Sequence, residues 1–365
     1  MSHINKSLES IVFLNYIKYE RLTELINYAY AGSDATTINL YIDLYPIIRS
    51  IYADTYMVSY NGSMDLVPLL INMCVHYRFF FKRYYNVHTN IYLVAGRNLP
   101  EISNAIVPNY NYTMAKRQNG PSHTMMDDMI NTNFGIMNIL TPYLPDVYFI
   151  NTNFETSVAM GYIIANQEDV CVPNLVISKD IYPLQLVTSP KFNNTSFIMP
   201  FKVMDEENNL NDVSVIIGSS SNQNNWKDFW EFFTTHRKIK FSSDILINPA
   251  NISPILSLSG LSERSINALM QFRVAYGMIS QIMGNSASQC SIETLYQNFD
   301  LDGKIPRNVV EDRFHVIDIV YQLDAIYTNS SEALLMKFEN KHDPQTVKMI
   351  CDKYFTNIPI NLEKL

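Results

Sequence analysis

The sequence predicts an α/β fold: a central, mainly parallel sheet flanked by helices, followed by a helical C-terminal region. Three observations carry this. Short apolar runs of strand length alternate with longer segments of helical spacing, the order from which parallel sheets are built. Two of those runs, the ones leading to Asp43 and Asp180, end on an acid. The composition, 365 residues with 47% hydrophobic and 17% charged, provides enough apolar material for a sizeable core in about two domains.

The elements follow in chain order. Residues 1–37 read as a helical extension, because Ile11, Leu14, Ile17, Leu22, Leu25 and Ile26 recur at helical spacing between charged residues. Residues 38–190 read as the α/β core. In it, Ile38 opens an apolar strand that closes on Asp43, residues 64–86 form a long helix, and Ile91 opens a second buried strand ending in small residues. After a polar stretch containing Tyr110, Tyr112, Lys116 and Arg117, a helix is expected from Met125 to Leu140, then a strand over Asp146–Ile150. A further helix opens at Phe154-Glu155, and a strand from Asn174 runs toward Asp180. Ligands of parallel sheets sit outside the carboxyl ends of the strands, so Asp43, Glu155 and Asp180 are expected around one crevice. Residues 191–225 read as a β-like insertion or sheet-edge hairpin, and 226–365 as helices, with the aromatic run Trp226, Trp230, Phe232 and Phe233 taken as a core helix.

The net charge of −8 argues against a protein that coats nucleic acid through overall positive charge, although a local basic groove stays open. No secretory leader and no membrane span is read, so the expected location is the host cytoplasm, or a virion. Four widely spaced cysteines without a CxxC pair suggest reduced, mostly buried thiols, not a zinc site or disulfides. Asn298 to Ile305 supplies half of a calcium loop, but Val309 stands where a bidentate Glu is required, so a plain Asp-Gly turn is the reading.

Taken in order, five segments resemble the 5′-nuclease family (PIN-like), which includes flap endonucleases and the 5′-nuclease domain of bacterial DNA polymerase I. Residues 38–52 are similar to its first strand and following helix, with Asp43 as the metal-binding aspartate and Arg49 as the helix arginine. Residues 108–117, with Tyr112, Lys116 and Arg117, look like the base of its helical arch. Glu155 lies in its acidic block, residues 176–187 are similar to its Lys-Asp strand and loop with Lys179 and Asp180, and residues 258–266 lie where it has a DNA-gripping helix-turn-helix.

The resemblance implies a Mg²⁺ site built from carboxylates, since a hard ion takes oxygen ligands and two such ions cleave phosphodiesters. Matched segment by segment, Asp43, Glu155 and Asp180 remain as residual metal ligands. The other acids fall on Ala95 or Gly96, on Ser157 and Val158, on Ser178, and on Leu261 and Arg264. The preferred expectation is a degenerate relative without resident cofactor, acting as a nucleic-acid-binding or architectural subunit of a viral replication, transcription or virion assembly. Arg49, Arg78, Lys82, Arg83, Tyr112, Lys116, Arg117 and Lys179 are then the candidate contacts to DNA or an RNA–DNA hybrid. Two alternatives stay open: an active Mg²⁺-dependent 5′ flap endonuclease or exonuclease, and a purely structural subunit that binds only protein. No membrane partner is expected.

Overall fold

The computed structural model describes residues 36–45, 48, 66–96, 121–152, 154–179, 182–189, 191–192, 194–204, 210–219, 221, 224–226, 228–229, 318–321, 323–324, 345 and 349. The expected N-terminal helix, most of the expected C-terminal helices, the 258–266 segment and the Asn298–Ile305 turn lie outside them.

β-Branched and aromatic residues between turn signals make the strands, and their order follows the predicted alternation. Strand β1 (Thr37–Asp43) is followed by helix α1 (Leu66–Tyr85), β2 (His88–Gly96), α2 (Pro121–Leu140), β3 (Val147–Thr152), α3 (Thr156–Ala165) and β4 (Asn174–Ile177). A short α4 (Gln185–Thr188), β5 (Thr195–Met204) and β6 (Leu210–Gly218) complete the set. They form one six-stranded sheet in the order β3-β2-β1-β4-β5-β6. All neighbours are parallel except β5 and β6, which pair antiparallel. The 191–225 segment thus supplies the sheet edge: β5 continues the parallel order beside β4, and β6 turns back along it. Pro200 sits in β5 beyond the last β4 pair, where its missing N–H disturbs no ladder on that side.

Alternation along each strand separates two faces. One face presents Leu40, Ile42, Ile91, Leu93, Phe149 and Ile177 to α1 and α2. Helix α1 meets it with Leu70, Cys74, Tyr77 and Phe81, all fully buried and spaced i, i+4, i+7, i+11. Each such side chain contributes about 1.5–3 kcal/mol by leaving water. Helix α2 adds Phe134, Met137 and Leu140. It stops at the Thr141–Tyr143 turn, where Pro142 cannot continue the hydrogen-bond pattern and the Thr141 hydroxyl donates to the Met137 carbonyl at 2.9 Å.

The opposite face carries α3 and α4. Helix α3 is buried almost all round, and its Gly161 allows close packing: a Cβ there would lie 2.9 Å from Ile319, 3.1 Å from Leu186 and 3.3 Å from Phe192. Ile319 and Asp324 therefore pack on the sheet domain, Asp324 through its contact with Lys191. Trp226 and Phe229 are buried too, as expected for a core segment, and Phe229 sits edge-on to Phe197 of β5.

Two polar or aromatic rows cross this second face in register. Tyr41, Tyr92 and Tyr148 stack across β1, β2 and β3, with ring centroids 4.7 and 4.9 Å apart. One pleat nearer the strand starts, Asn90 donates to Asn39 at 3.0 Å, and Asn39 donates to Asn174 and to Gln167, each at 3.2 Å. Three strands are entered through a residue with positive φ, Asn86, Asp146 and Asn194, the residue types that tolerate the left-handed region best after glycine. Asn86 also ends α1, its N–H donating to the Lys82 carbonyl at 3.2 Å.

Candidate functional site

The carboxyl ends of β1, β2, β3 and β4 lie side by side, and the site is built there. Asp43 closes β1 and is 2% exposed, in register with Val94 of β2. Its Oδ2 accepts a 2.6 Å hydrogen bond from the hydroxyl of Ser178, the residue just after β4. Ser178 is fully buried. Thus the position where the resemblance expects a second acid holds a hydroxyl that donates to the first. Lys179 follows at the same end of the sheet, half-buried.

Glu155 lies three residues past β3, at the start of α3. Its backbone is extended, and its carboxylate accepts the N–H groups of Ser157 at 2.8 Å and Val158 at 3.3 Å, together with the Ser157 hydroxyl. This is an N-cap, which satisfies otherwise orphaned donors and places negative charge at the positive end of the helix. Ser157 and Val158 are buried in the first turn of that helix.

Gly96, the last residue of β2, is held against the same helix start. Its N–H donates to the Thr156 hydroxyl at 3.0 Å. A Cβ at Gly96 would lie 2.3 Å from Thr156 N, 2.6 Å from the Phe154 carbonyl and 2.7 Å from Thr156 Cα. The blocking atoms are all backbone, so no side chain fits at position 96. Ala95 points to the other face, where it is part of the apolar core.

Asp43 and Glu155 therefore reach the same end of the sheet, Asp43 with its Oδ2 and Glu155 with its Oε2 already engaged. Asp180, Arg49, Tyr112, Lys116 and Arg117 lie outside the described residues. Among the described residues, no group of three or more His, Cys, Asp or Glu side chains gathers as a metal ion would need.

The other candidates lie elsewhere. Helix α1 runs through Asn86 and Val87 into the start of β2, so its last turn sits at the end of the sheet opposite the crevice. Thr37 pairs with His88 there, while Asp43 pairs with Val94 at the crevice end. Six residues at roughly 3.3 Å each separate the two ends by about 20 Å. Arg78, Lys82 and Arg83 all belong to the far end. Arg78 is turned inward: its guanidinium donates to the Pro145 carbonyl and lies 3.6 Å from the Asp146 carboxylate, which also meets His88 at 3.1 Å. Burial lowers the Arg78 pKa, and Asp146 partly opposes that shift. Arg78 thus ties α1 to the turn before β3. Lys82 and Arg83 are exposed, with Arg83 lying over the rings of Phe79 and Tyr84.

Several buried groups have shifted pKa values for structural reasons. Burial pushes the Cys74 thiol up to about 12 and, with the nearby Tyr148, the Tyr92 phenol to about 12. Burial also raises Tyr41, Tyr77 and Tyr148. Cys74 is buried and Cys171 exposed, and both are free.

No protein-family model matches the chain, and no curated protein matches it. Among solved structures it is similar to a flap endonuclease of bacteriophage T5, in a pseudo-enzyme–product complex with DNA and metal ions. The identity is 10%, over 86% of this chain and 99% of that one, with a TM-score of 0.44. It is also similar to the bacteriophage T5 5′-exonuclease with bound zinc, at 11% identity over 87% and 98% of the two chains, with a TM-score of 0.45. The architecture stated above stands on the strand pairing itself. No helix among the described residues is long and apolar enough to cross a membrane.

Proposed function

We propose that the chain is a catalytically degenerate 5′-nuclease-like protein that serves as a nucleic-acid-binding or architectural subunit of a viral assembly. Its partners are other proteins of that assembly and DNA or an RNA–DNA hybrid at the crevice. The observation that supports this best is the carboxyl end of the sheet. Where the resemblance calls for acids, Gly96 leaves no room for any side chain and Ser178 donates to Asp43. Glu155 is committed to capping α3. A pair of Mg²⁺ ions needs a cluster of free carboxylate oxygens, and the described residues do not fit such a site.

Binding draws on Lys179 at the crevice and, by the resemblance, on Arg49, Tyr112, Lys116 and Arg117. The test is cleavage of a labelled 5′-flap substrate at low salt with Mg²⁺ or Mn²⁺, alongside binding of the same substrate. The expected result is binding without cleavage, with binding weakened by Lys116→Ala/Arg117→Ala. Cleavage that Asp43→Asn or Asp180→Asn abolishes overturns the proposal and makes the chain an enzyme.

A further inference from the structure

The last turns of α1 present an arrangement that the crevice does not use. Phe79 and Tyr84 expose 53% and 52% of their surface, and Arg83 lies between them, 5.7 Å from one ring centroid and 5.6 Å from the other. Lys82 stands beside them, exposed. The helix contains no acidic residue in its twenty positions, in a chain whose net charge is −8. The acid that meets this helix, Asp146, is taken by Arg78 and His88. Among the described residues neither Lys82 nor Arg83 has an anionic partner.

Cations in a last turn are explained by the helix dipole alone, but rings more than half exposed are not, even with Tyr84 set against Phe80 at 5.0 Å. Two large aromatic side chains kept half in water beside two unpaired cations form a surface for a ligand that alternates planar apolar groups with negative charges. An unpaired nucleic-acid strand has that alternation: bases stack on exposed rings while phosphates meet the cations. An acidic polypeptide would satisfy the charges and leave the rings idle. We propose that Phe79, Lys82, Arg83 and Tyr84 form a second binding site, for single-stranded nucleic acid, at the end of the sheet opposite the crevice. The site goes beyond the crevice reading, and rests on it only for the class of ligand. About 20 Å of sheet lies between the two, so a strand held at one end leaves the other free for a separate segment.

The experiment is fluorescence anisotropy of a labelled twelve-nucleotide oligo(dT) with the full chain, from 50 to 500 mM NaCl. Two phosphate contacts, at about 0.7 each for single strands, predict that Lys82→Ala/Arg83→Ala lowers the log–log salt slope by about 1.4 and weakens binding at least tenfold at low salt. Phe79→Ala/Tyr84→Ala is expected to weaken oligo(dT) binding about tenfold while leaving heparin binding unchanged. All four side chains are exposed, and unchanged circular dichroism and melting confirm that each variant is folded. Loss with these variants but not with Lys116→Ala/Arg117→Ala supports the second site even if the crevice reading fails. Loss only with Lys116→Ala/Arg117→Ala overturns the second site and keeps the crevice. Displacement of oligo(dT) by polyglutamate, with the ring variants silent, overturns it in favour of an acidic polypeptide. No binding by the wild type at 50 mM NaCl overturns both.

Discussion

Gly96→Ala gives the sharpest test of how the crevice is closed. The added methyl meets three backbone atoms of residues 154 and 156, the nearest at 2.3 Å, against ordinary contact from 3.4 Å outward. Relief requires the end of β2 and the start of α3 to part by about 1 Å, and neither can yield by rotating a side chain. Overpacking of this kind costs about 1–3 kcal/mol. The parting also stretches the 3.0 Å bond from Gly96 N–H to Thr156, worth about 1 kcal/mol. Alanine returns about 0.5–1 kcal/mol by restricting the unfolded chain. The net expectation is a loss of about 2–3 kcal/mol in urea unfolding. Gly135→Ala is the internal control: nothing lies within 4 Å of its Cβ position on an exposed part of α2. That change should stabilise by about 0.5–1 kcal/mol. If Gly96→Ala unfolds within 0.5 kcal/mol of the wild type, the close approach is wrong, and position 96 is open to a ligating side chain after all.

Other outcomes follow from the same contacts. Asp146→Asn keeps a residue that tolerates φ of 51° and removes only the charge, so the loss of about 1–2 kcal/mol expected in urea unfolding reports the half-buried Arg78 left without this counter-ion. Glu155→Ala removes the cap of α3 and should cost about 1 kcal/mol, while Glu155→Gln, which keeps an acceptor oxygen, should cost less; equal losses would contradict the capping role. Because Cys74 and Tyr92 ionise near 12 in the folded protein against about 9 and 10 unfolded, the folded state holds more protons between those values. Stability is then complete below about pH 9 and falls as pH rises toward 12, by up to about 1.4 kcal/mol per pH unit for each group. Urea midpoints at pH 8 and 10.5, with tyrosinate absorbance, check the sign.

Much of the scaffold was legible because local patterns decide it. The apolar run from Ile38 ends at Asp43 and the strand ends there too; the helix expected over 64–86 spans Leu66–Tyr85; and Glu155 stands where the sequence opens a helix. What escaped depends on residues far apart in the chain. Nothing near Arg78 in sequence announces Asp146, 68 positions on, so a half-buried structural arginine reads like its exposed neighbours Lys82 and Arg83. The candidate contacts also divide between the two ends of the sheet, with Arg78, Lys82 and Arg83 away from Lys179. A signal was available: a helix joining parallel strands must return to the strand starts, which puts its last turn away from the crevice. The role of Gly96 was hidden for the same reason as that of Arg78, since its partner Thr156 lies sixty residues downstream.

The row of amides running from Asn90 through Asn39 to Asn174 has a consequence for how the chain assembles. Asn39 sits on the central strand, yet one of its partners is made 135 residues later, so β1 must hold its place until most of the sheet domain has been synthesised. Sliding β1 by one residue would turn Leu40 and Ile42 to the second face, carry Asn39 into the hydrocarbon of the first, and take from Asn90 and Asn174 the amide they share, at about 1–3 kcal/mol for the buried amide alone. The row therefore acts as proofreading: apolar strands alone would accept several alignments, and the amides reject all but one.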